Sequence, residues 1–283
     1  MKRAVLLVSC PDRKGIVKEI ASFIANNNGN IVHFDQHIDP NKEMFFARVE
    51  WDLKGFKLSE ESIKEEFSSV AEKFSMNFSI HFTDYLQKVA IFVSKQGHCL
   101  YDLLQRFKSG ELNGRVELVI SNHEDLRSVA EFFGVPYHHI PKHSSNKEFA
   151  EKKELELLKE KRIDLIVLAR YMQILSKDFV SKYENKIINI HHSFLPAFPG
   201  AAPYRRAYER GVKILGATSH YVTETLDEGP IIEQDIIRVS HRDTLEDFIQ
   251  KGKDIERIVL ARAVRWHLEY KVLVCENKTV VFS

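Results

Sequence analysis

Cysteine is scarce in this 283-residue chain. Cys10, Cys99 and Cys275 stand far apart, and no CxxC pair occurs. That argues against a zinc knuckle and a redox dithiol, and leaves isolated cysteines to act as small apolar residues. Long hydrophobic runs are missing too. No segment approaches the ~18 apolar residues of a membrane helix. The opening MKRAVLLVSCPDRKG has a short basic start, but its apolar run is too short for a signal peptide and PDRKG is no small-residue cleavage site. We therefore read AVLLVS as a strand and expect a cytoplasmic protein. Neither sign of charge dominates: 41 Lys and Arg face 40 Asp and Glu, a net charge of +1. The basic footprint of a nucleic-acid or anionic-membrane partner is lacking, so neither is expected. No internal repeat and no low-complexity stretch is visible.

What the chain does have is apolar content, 44% of residues, enough for one large domain or two modest ones. The pattern divides it into residues 1–84 and 85–283. The first part reads βαββαβ. Ile16, Ile20, Phe23 and Ile24 fall on one helical face. GNIVHFDQHID and EMFFARVEWDL form two strands turning at Pro40-Asn41, and Ser59 suits the start of a second helix. This is the ferredoxin-like split arrangement. After Asp84 the rhythm changes. KVAIFVS, RVELVIS, VPYHHI and DLIVLA alternate with helical stretches near 98–109, 125–134 and 146–161, as in a mostly parallel, Rossmann-like α/β sheet. KIINIHHS, GATSHYVT and PIIEQDIIRV follow. A long helix from Thr244 to Tyr270 carries Leu245, Phe248, Ile255, Ile258, Val259 and Ala263 as its stripe, and the tail looks like a hairpin turning at Glu276-Asn277-Lys278.

Asn189, His191 and His192 stand where a strand gives way to a proline-rich loop. Singly, Asn189 reads as a strand-end turn residue and Asp227, before Glu228-Gly229-Pro230, as a turn former. A lone strand histidine such as His220 usually needs only a partner. Jointly they say more. The set N-x-H, LPxFxG, His220 and Asp227 in LDEGPII resembles the folate-dependent formyltransferase family, over about 200 residues from Tyr85 onward. The stretch Pro11-Asp12-Arg13-Lys14-Gly15-Ile16-Val17 after the first strand resembles an ACT domain. ACT followed by formyltransferase domain is similar to the layout of the formyltetrahydrofolate deformylase family.

The resemblance implies a 10-formyltetrahydrofolate substrate, cleaved to tetrahydrofolate and formate, balancing one-carbon pools and supplying formate for purine biosynthesis. Attack on the formyl carbonyl makes an oxyanion that needs preplaced donors. Two residues apart on one strand, Asn189 and His191 face the same way, while Ile190 and His192 face the other. The resemblance implies Asn189 as oxyanion donor, His191 as oxyanion and proton donor, and Asp227 as partner of the histidine and holder of the water. The pattern leaves open which group takes the proton. His220 is assigned structural support. Met172, Gln173 and Leu175 are implied as folate contacts, largely through backbone groups. No cofactor, metal or covalent intermediate is required. His138, His139 and His143 cluster, but Pro141 breaks a helical pairing and no acidic or cysteine ligand is adjacent.

The related glycinamide ribonucleotide formyltransferases carry a Gly-rich phosphate-cradling loop after the first strand of this domain. Here VSKQGHCLYDLL has only Gly97, so the acceptor site looks absent and water is the nucleophile. The extra domain of methionyl-tRNA formyltransferases has no room in the 56 residues after Asp227. A catalytically dead folate-binding module is disfavoured by the intact Asn189, His191 and Asp227. ACT domains imply pairing into a homo-oligomer and binding of small amino acids, with methionine activating and glycine inhibiting. Asp12, Gly15, Asn30 and Ile31 are the candidate contacts.

Overall fold

A computed structural model describes residues 2–197 and 203–283. It divides into two compact units. One holds the chain up to Leu86 together with Glu269–Cys275 and Val280–Ser283. The other holds Gln87–Leu268 and Glu276–Thr279. Expected as part of the second domain, the tail is instead shared between the units. The physical reason is burial: Phe282, Leu273 and Cys275 pack with Leu7 and Phe46 of the first unit.

The first unit runs β1 (Arg3–Pro11), α1 (Ile16–Asn26), β2 (Asn30–Asp39), β3 (Met44–Asp52), α2 (Glu60–Phe74) and β4 (Asn77–Phe82), with sheet order β2-β3-β1-β4. This is the expected βαββαβ fold. Ile16, Ile20 and Ile24 of α1 meet Ile63, Phe67 and Ala71 of α2 over the sheet core. Gly15 enters α1 at φ 99°, a backbone state that glycine adopts freely. Ser59 does occupy the helix-start position of α2, yet its hydroxyl contacts the Ser62 hydroxyl at 3.0 Å and caps no backbone N–H.

The second unit runs β5 (Gln87–Val93), α3 (His98–Lys108), β6 (Gly114–Ser121), α4 (Arg127–Phe132), β7 (Tyr137–His139), α5 (Lys147–Lys161), β8 (Leu165–Leu168), α6 (Lys177–Ser181), β9 (Ile187–His191), α7 (Pro203–Arg210), β10 (Ile214–Tyr221), β11 (Ile231–Arg238) and α8 (Leu245–Leu268). A small hairpin, β12 (Val272–Cys275) and β13 (Lys278–Val281), ends the chain as expected. The large sheet has order β11-β10-β9-β8-β5-β6-β7. β5 to β9 are parallel, and β10 and β11 add antiparallel strands on the β9 side. The short helices α6 and α7 have too few turns to show a period, so the sequence reading passed over them. In α8 the expected stripe is buried at Phe248, Ile255, Val259 and Ala263, but Ile258 is exposed. The chain leaves β5 outward to β6 and β7, then returns to lay β8 on β5's other side. The C-terminal ends of β5 and β8 thus mark the topological switch point, where open α/β sheets hold ligands.

Candidate active site

Pairing of β9 with β10 sets Asn189 opposite His220 and His191 opposite Thr218. Directly opposed residues of an antiparallel pair share a face, so the three ring and amide groups converge. Asn189 Nδ2 lies 3.2 Å from His220 Nε2, and His220 Nδ1 donates to the Tyr221 carbonyl at 2.9 Å. A register shift at Ser219/His220 sits here, as bulges often do beside sites. The Thr218 hydroxyl donates to the Ser193 carbonyl at 2.9 Å and accepts from Leu195 N–H at 3.0 Å, pinning the turn that follows His191. The later part of the SFLPAFPG loop lies outside the described residues.

Asp227 comes from the loop between β10 and β11. Its φ of 58° is left-handed, a conformation that costs a non-glycine residue about 1–3 kcal/mol and gathers at functional sites. Two residues on, a Cβ at Gly229 would lie 1.8 Å from the Tyr221 carbonyl oxygen, so the loop closes only with glycine. The closure brings Asp227 Oδ2 to 3.2 Å from His191 Nδ1, and Oδ1 to 3.7 Å from His220 Nε2. Burial pushes the Asp227 carboxyl up. Hydrogen bonding and charge from His191, then His220, outweigh it and hold the group well below the usual carboxylate range. His191 is buried, and its Nε2 has no hydrogen-bond partner among the described residues.

These groups stand in the wall of a cavity of about 770 Å³, a size suited to a cofactor-sized ligand. Its apolar side is formed by the exposed Met172, Ile174 and Leu226 with the buried Leu175. Met172 N–H is already donated to Ser94 Oγ at 3.0 Å, so that amide is not free to meet a ligand as the sequence reading expected. Among the described residues no backbone hydrogen bond engages Gln173, Ile174 or Leu175. Their main-chain groups are therefore open to one.

His192 also borders the cavity, with its ring 5.8 Å from that of Tyr204. Burial, then the Arg170 cation, pushes its imidazole down to about 3, so it is neutral at physiological pH. It was expected to face away. The sequence reading missed a further group, Gln96, Arg170, Tyr204 and Glu256. Their local motifs are ordinary, and only the fold brings them together. His98, Cys99 and Glu256 form a tight cluster of ligating types, but His98 and Arg170 already pair with Glu256 at 2.8 and 3.5 Å. A buried guanidinium beside the carboxylate disfavours a cation. His138, His139 and His143 do not gather as a ligand group among the described residues, and His139 pairs with Glu124 at 2.8 Å.

In the first unit, Asp12 and Gly15 follow the end of β1 and are exposed, Asn30 opens β2 and is exposed, and Ile31 packs against the core. The register pairs Asp52 with both Arg3 and Asn30, whereas Pro11 pairs with Met44. The two sets thus lie at opposite ends of the sheet, some ~26 Å apart at strand rise. One chain does not bring them together.

The fold and site define a two-domain protein of the formyltransferase class. The formyl transferase family model matches residues 87–264, and the ACT domain model matches residues 4–72. A formyltetrahydrofolate deformylase of Synechocystis sp. is 58% identical, the match covering 99% of this chain and 98% of that one. The crystal structure of a formyltetrahydrofolate deformylase from Pseudomonas syringae pv. tomato superposes with a TM-score of 0.98 at 47% identity, covering 100% and 95% of the two chains. A glycinamide ribonucleotide transformylase from Symbiobacterium toebii is similar over 72% of this chain and 97% of its own, with a TM-score of 0.67 and 30% identity. The chain belongs to the formyltetrahydrofolate deformylase family.

Proposed function

We propose that the chain hydrolyses 10-formyltetrahydrofolate to tetrahydrofolate and formate, with Asn189, His191 and Asp227 as its catalytic residues. The observation that carries this reading is their convergence, with His191 Nδ1 3.2 Å from Asp227 Oδ2 on the wall of the cavity. The pteridine and benzoyl rings pack on the apolar side, and the open main chain at Gln173 and Leu175 reads the pteridine edge. His220 orients the Asn189 amide, whose second N–H points a donor at the formyl oxygen. His191, held through Nδ1 by Asp227, turns Nε2 toward the same oxygen, so both groups act where charge develops. The Asp227 carboxylate holds the water. Its oxygen attacks the formyl carbon, the C–N10 bond breaks, one water proton ends on N10 and the other passes to solvent, and formate leaves.

The first unit serves as a regulatory and assembly domain in a homo-oligomer, with small amino acids such as methionine and glycine as effectors. Because Asp12 and Gly15 lie far from Asn30 and Ile31 within one chain, a ligand touching both sets would bridge two subunits. No helix among the described residues is long and apolar enough to cross a membrane, and we place the activity in the cytoplasm. The test is free formate from 10-formyltetrahydrofolate with no amine acceptor, measured with and without methionine. Formate release is expected, with stimulation by methionine. No release would overturn the hydrolase reading.

A further inference from the structure

One stretch of the cavity wall is lined by Gln96, Arg170 and Tyr204, with His98 and Glu256 bonded behind it, so that five elements meet here. Gln96 follows β5, His98 opens α3, Arg170 follows β8, Tyr204 lies on α7 and Glu256 on α8. Arg170 Nη2 donates to Gln96 Oε1 at 3.1 Å, and its Nε lies 3.5 Å from Glu256 Oε2. Tyr204 O–H donates to Glu256 Oε1, and His98 Nε2 is 2.8 Å from Glu256 Oε2. Both carboxylate oxygens are therefore taken, and Glu256 is fully buried.

Two features show that this wall is built at a cost. Arg170 is 7% exposed and has a φ of 64°. A long cationic side chain occupies a left-handed position that glycine would fill without strain, at the topological switch point. On α8, a Cβ at Gly252 would lie 2.2 Å from Tyr204 Cζ, so that helix gives up a side chain to let the Tyr204 ring lie against it. Leu126 sits 2.7 Å from the Cβ position of Gly97, and His98 turns toward Glu256.

We propose that Arg170, with Gln96, Tyr204 and Glu256, determines acceptor specificity by closing the active-site cavity to a primary amine, so that only water reaches the formyl carbon. This rests on the hydrolase reading and deepens it. An amine bearing any substituent needs room on the side of the formyl group away from the folate rings, and a hydrogen-bond acceptor for its N–H groups. The wall meets neither need: the Arg170 and Tyr204 side chains stand on it, Glu256 behind them is fully buried with both carboxylate oxygens engaged, and Arg170 presents a cation to any ammonium. Building clashes and unmatched charge against the wrong partner is the usual route to discrimination. Water needs only Asp227.

The test is product partition. The enzyme is given 10-formyltetrahydrofolate with excess glycinamide, and formate and N-formylglycinamide are both measured. In the transfer reaction the amine nitrogen attacks the formyl carbon, the C–N10 bond breaks and tetrahydrofolate leaves, so no further reactant is needed. The wild type is expected to release formate, with formylglycinamide no faster than without enzyme. Arg170→Gly combined with Glu256→Gln opens the wall without stranding a buried charge. It is expected to raise the ratio of formylglycinamide to formate by about tenfold or more, the scale of one pocket contact. Gln96→Gly leaves the buried pair intact and should raise the ratio in the same direction. Formylation of glycinamide by the wild type would overturn the proposal. So would Gln96→Gly and the double variant hydrolysing substrate with the wild-type ratio. A wild type that releases no formate would instead overturn the hydrolase reading itself.

Discussion

Two buried polar clusters in the second unit use the same ingredients and come to opposite ends. In one, Lys142 Nζ lies 2.8 Å from Glu154 and 3.6 Å from Glu151. Glu154 also accepts from Tyr171 O–H at 2.8 Å, and Glu151 accepts Ser176 N–H at 3.1 Å. Every member has its partner, and the cluster holds both ends of the loop from Arg170 to Ser176. In the other cluster, Asn189, His191, His220 and Asp227, the His191 Nε2 has no partner among the described residues and Asp227 is held left-handed. Charge follows the same division. Burial raises the Glu154 carboxyl despite Lys142, whereas the two histidines hold the less buried Asp227 low. A saturated buried network is scaffold, and one with a polar atom left over is a site.

The comparison breaks most severely at Asp227. Asp227→Asn keeps the shape and removes the charge. Turnover is expected to fall by about 10²–10⁴-fold, the usual worth of a positioned acid or base, while folate affinity by calorimetry stays near wild type. Wild-type turnover would remove Asp227 from the chemistry. The same variant carries a stability signature. A carboxyl whose folded pKa is depressed adds stability above its unfolded value, near ~4, and loses it as pH falls through the folded value. Acid unfolding curves of the wild type should therefore show an extra loss below about pH 4 that Asp227→Asn lacks.

Scaffold behaviour should appear in stability instead. Glu154→Ala leaves Lys142 buried without its closest partner, a change that typically costs about 3–5 kcal/mol. At about 2–4 °C per kcal/mol for a unit of this size, Tm should drop by on the order of 10 °C. Replacing both residues, Lys142→Met with Glu154→Leu, removes the charges together and should recover most of that loss. A double variant as unstable as the single one would mean the pair does more than satisfy itself.

How much of this was legible in the sequence follows the range of each signal. The order of strands and helices, and Asn189 and His191 on one face, rest on local period and could be read. So could Asp227 and His220, because a resemblance held them together as a set. The α5 helix was read from its length, but not its buried Glu151 and Glu154, since charged residues on a helix normally face water. Arg170, Tyr204 and Glu256 meet only because the end of β8, the start of α7 and the middle of α8 come together, and no local rule reports that. The left-handed backbone at Arg170 and Asp227 is equally silent, since neither residue type announces it.

The smallest effect sharpens the boundary between the clusters. Ser176 ends the loop proposed to meet the folate, starts α6, and accepts Phe179 N–H on its hydroxyl at 3.2 Å. Its backbone N–H belongs to the scaffold cluster through Glu151, and its side chain touches nothing in the cavity wall. Ser176→Ala should therefore cost about 1 kcal/mol, the common worth of a helix cap, and lower Tm by about 2–4 °C. The Glu151 bond to the main chain remains and keeps the loop in place, so KM for 10-formyltetrahydrofolate and kcat should both stay near wild type. A rise in KM without a matching fall in Tm would mean that the cap, and not the buried Lys142–Glu154 pair, sets the position of Gln173 and Leu175 against the folate.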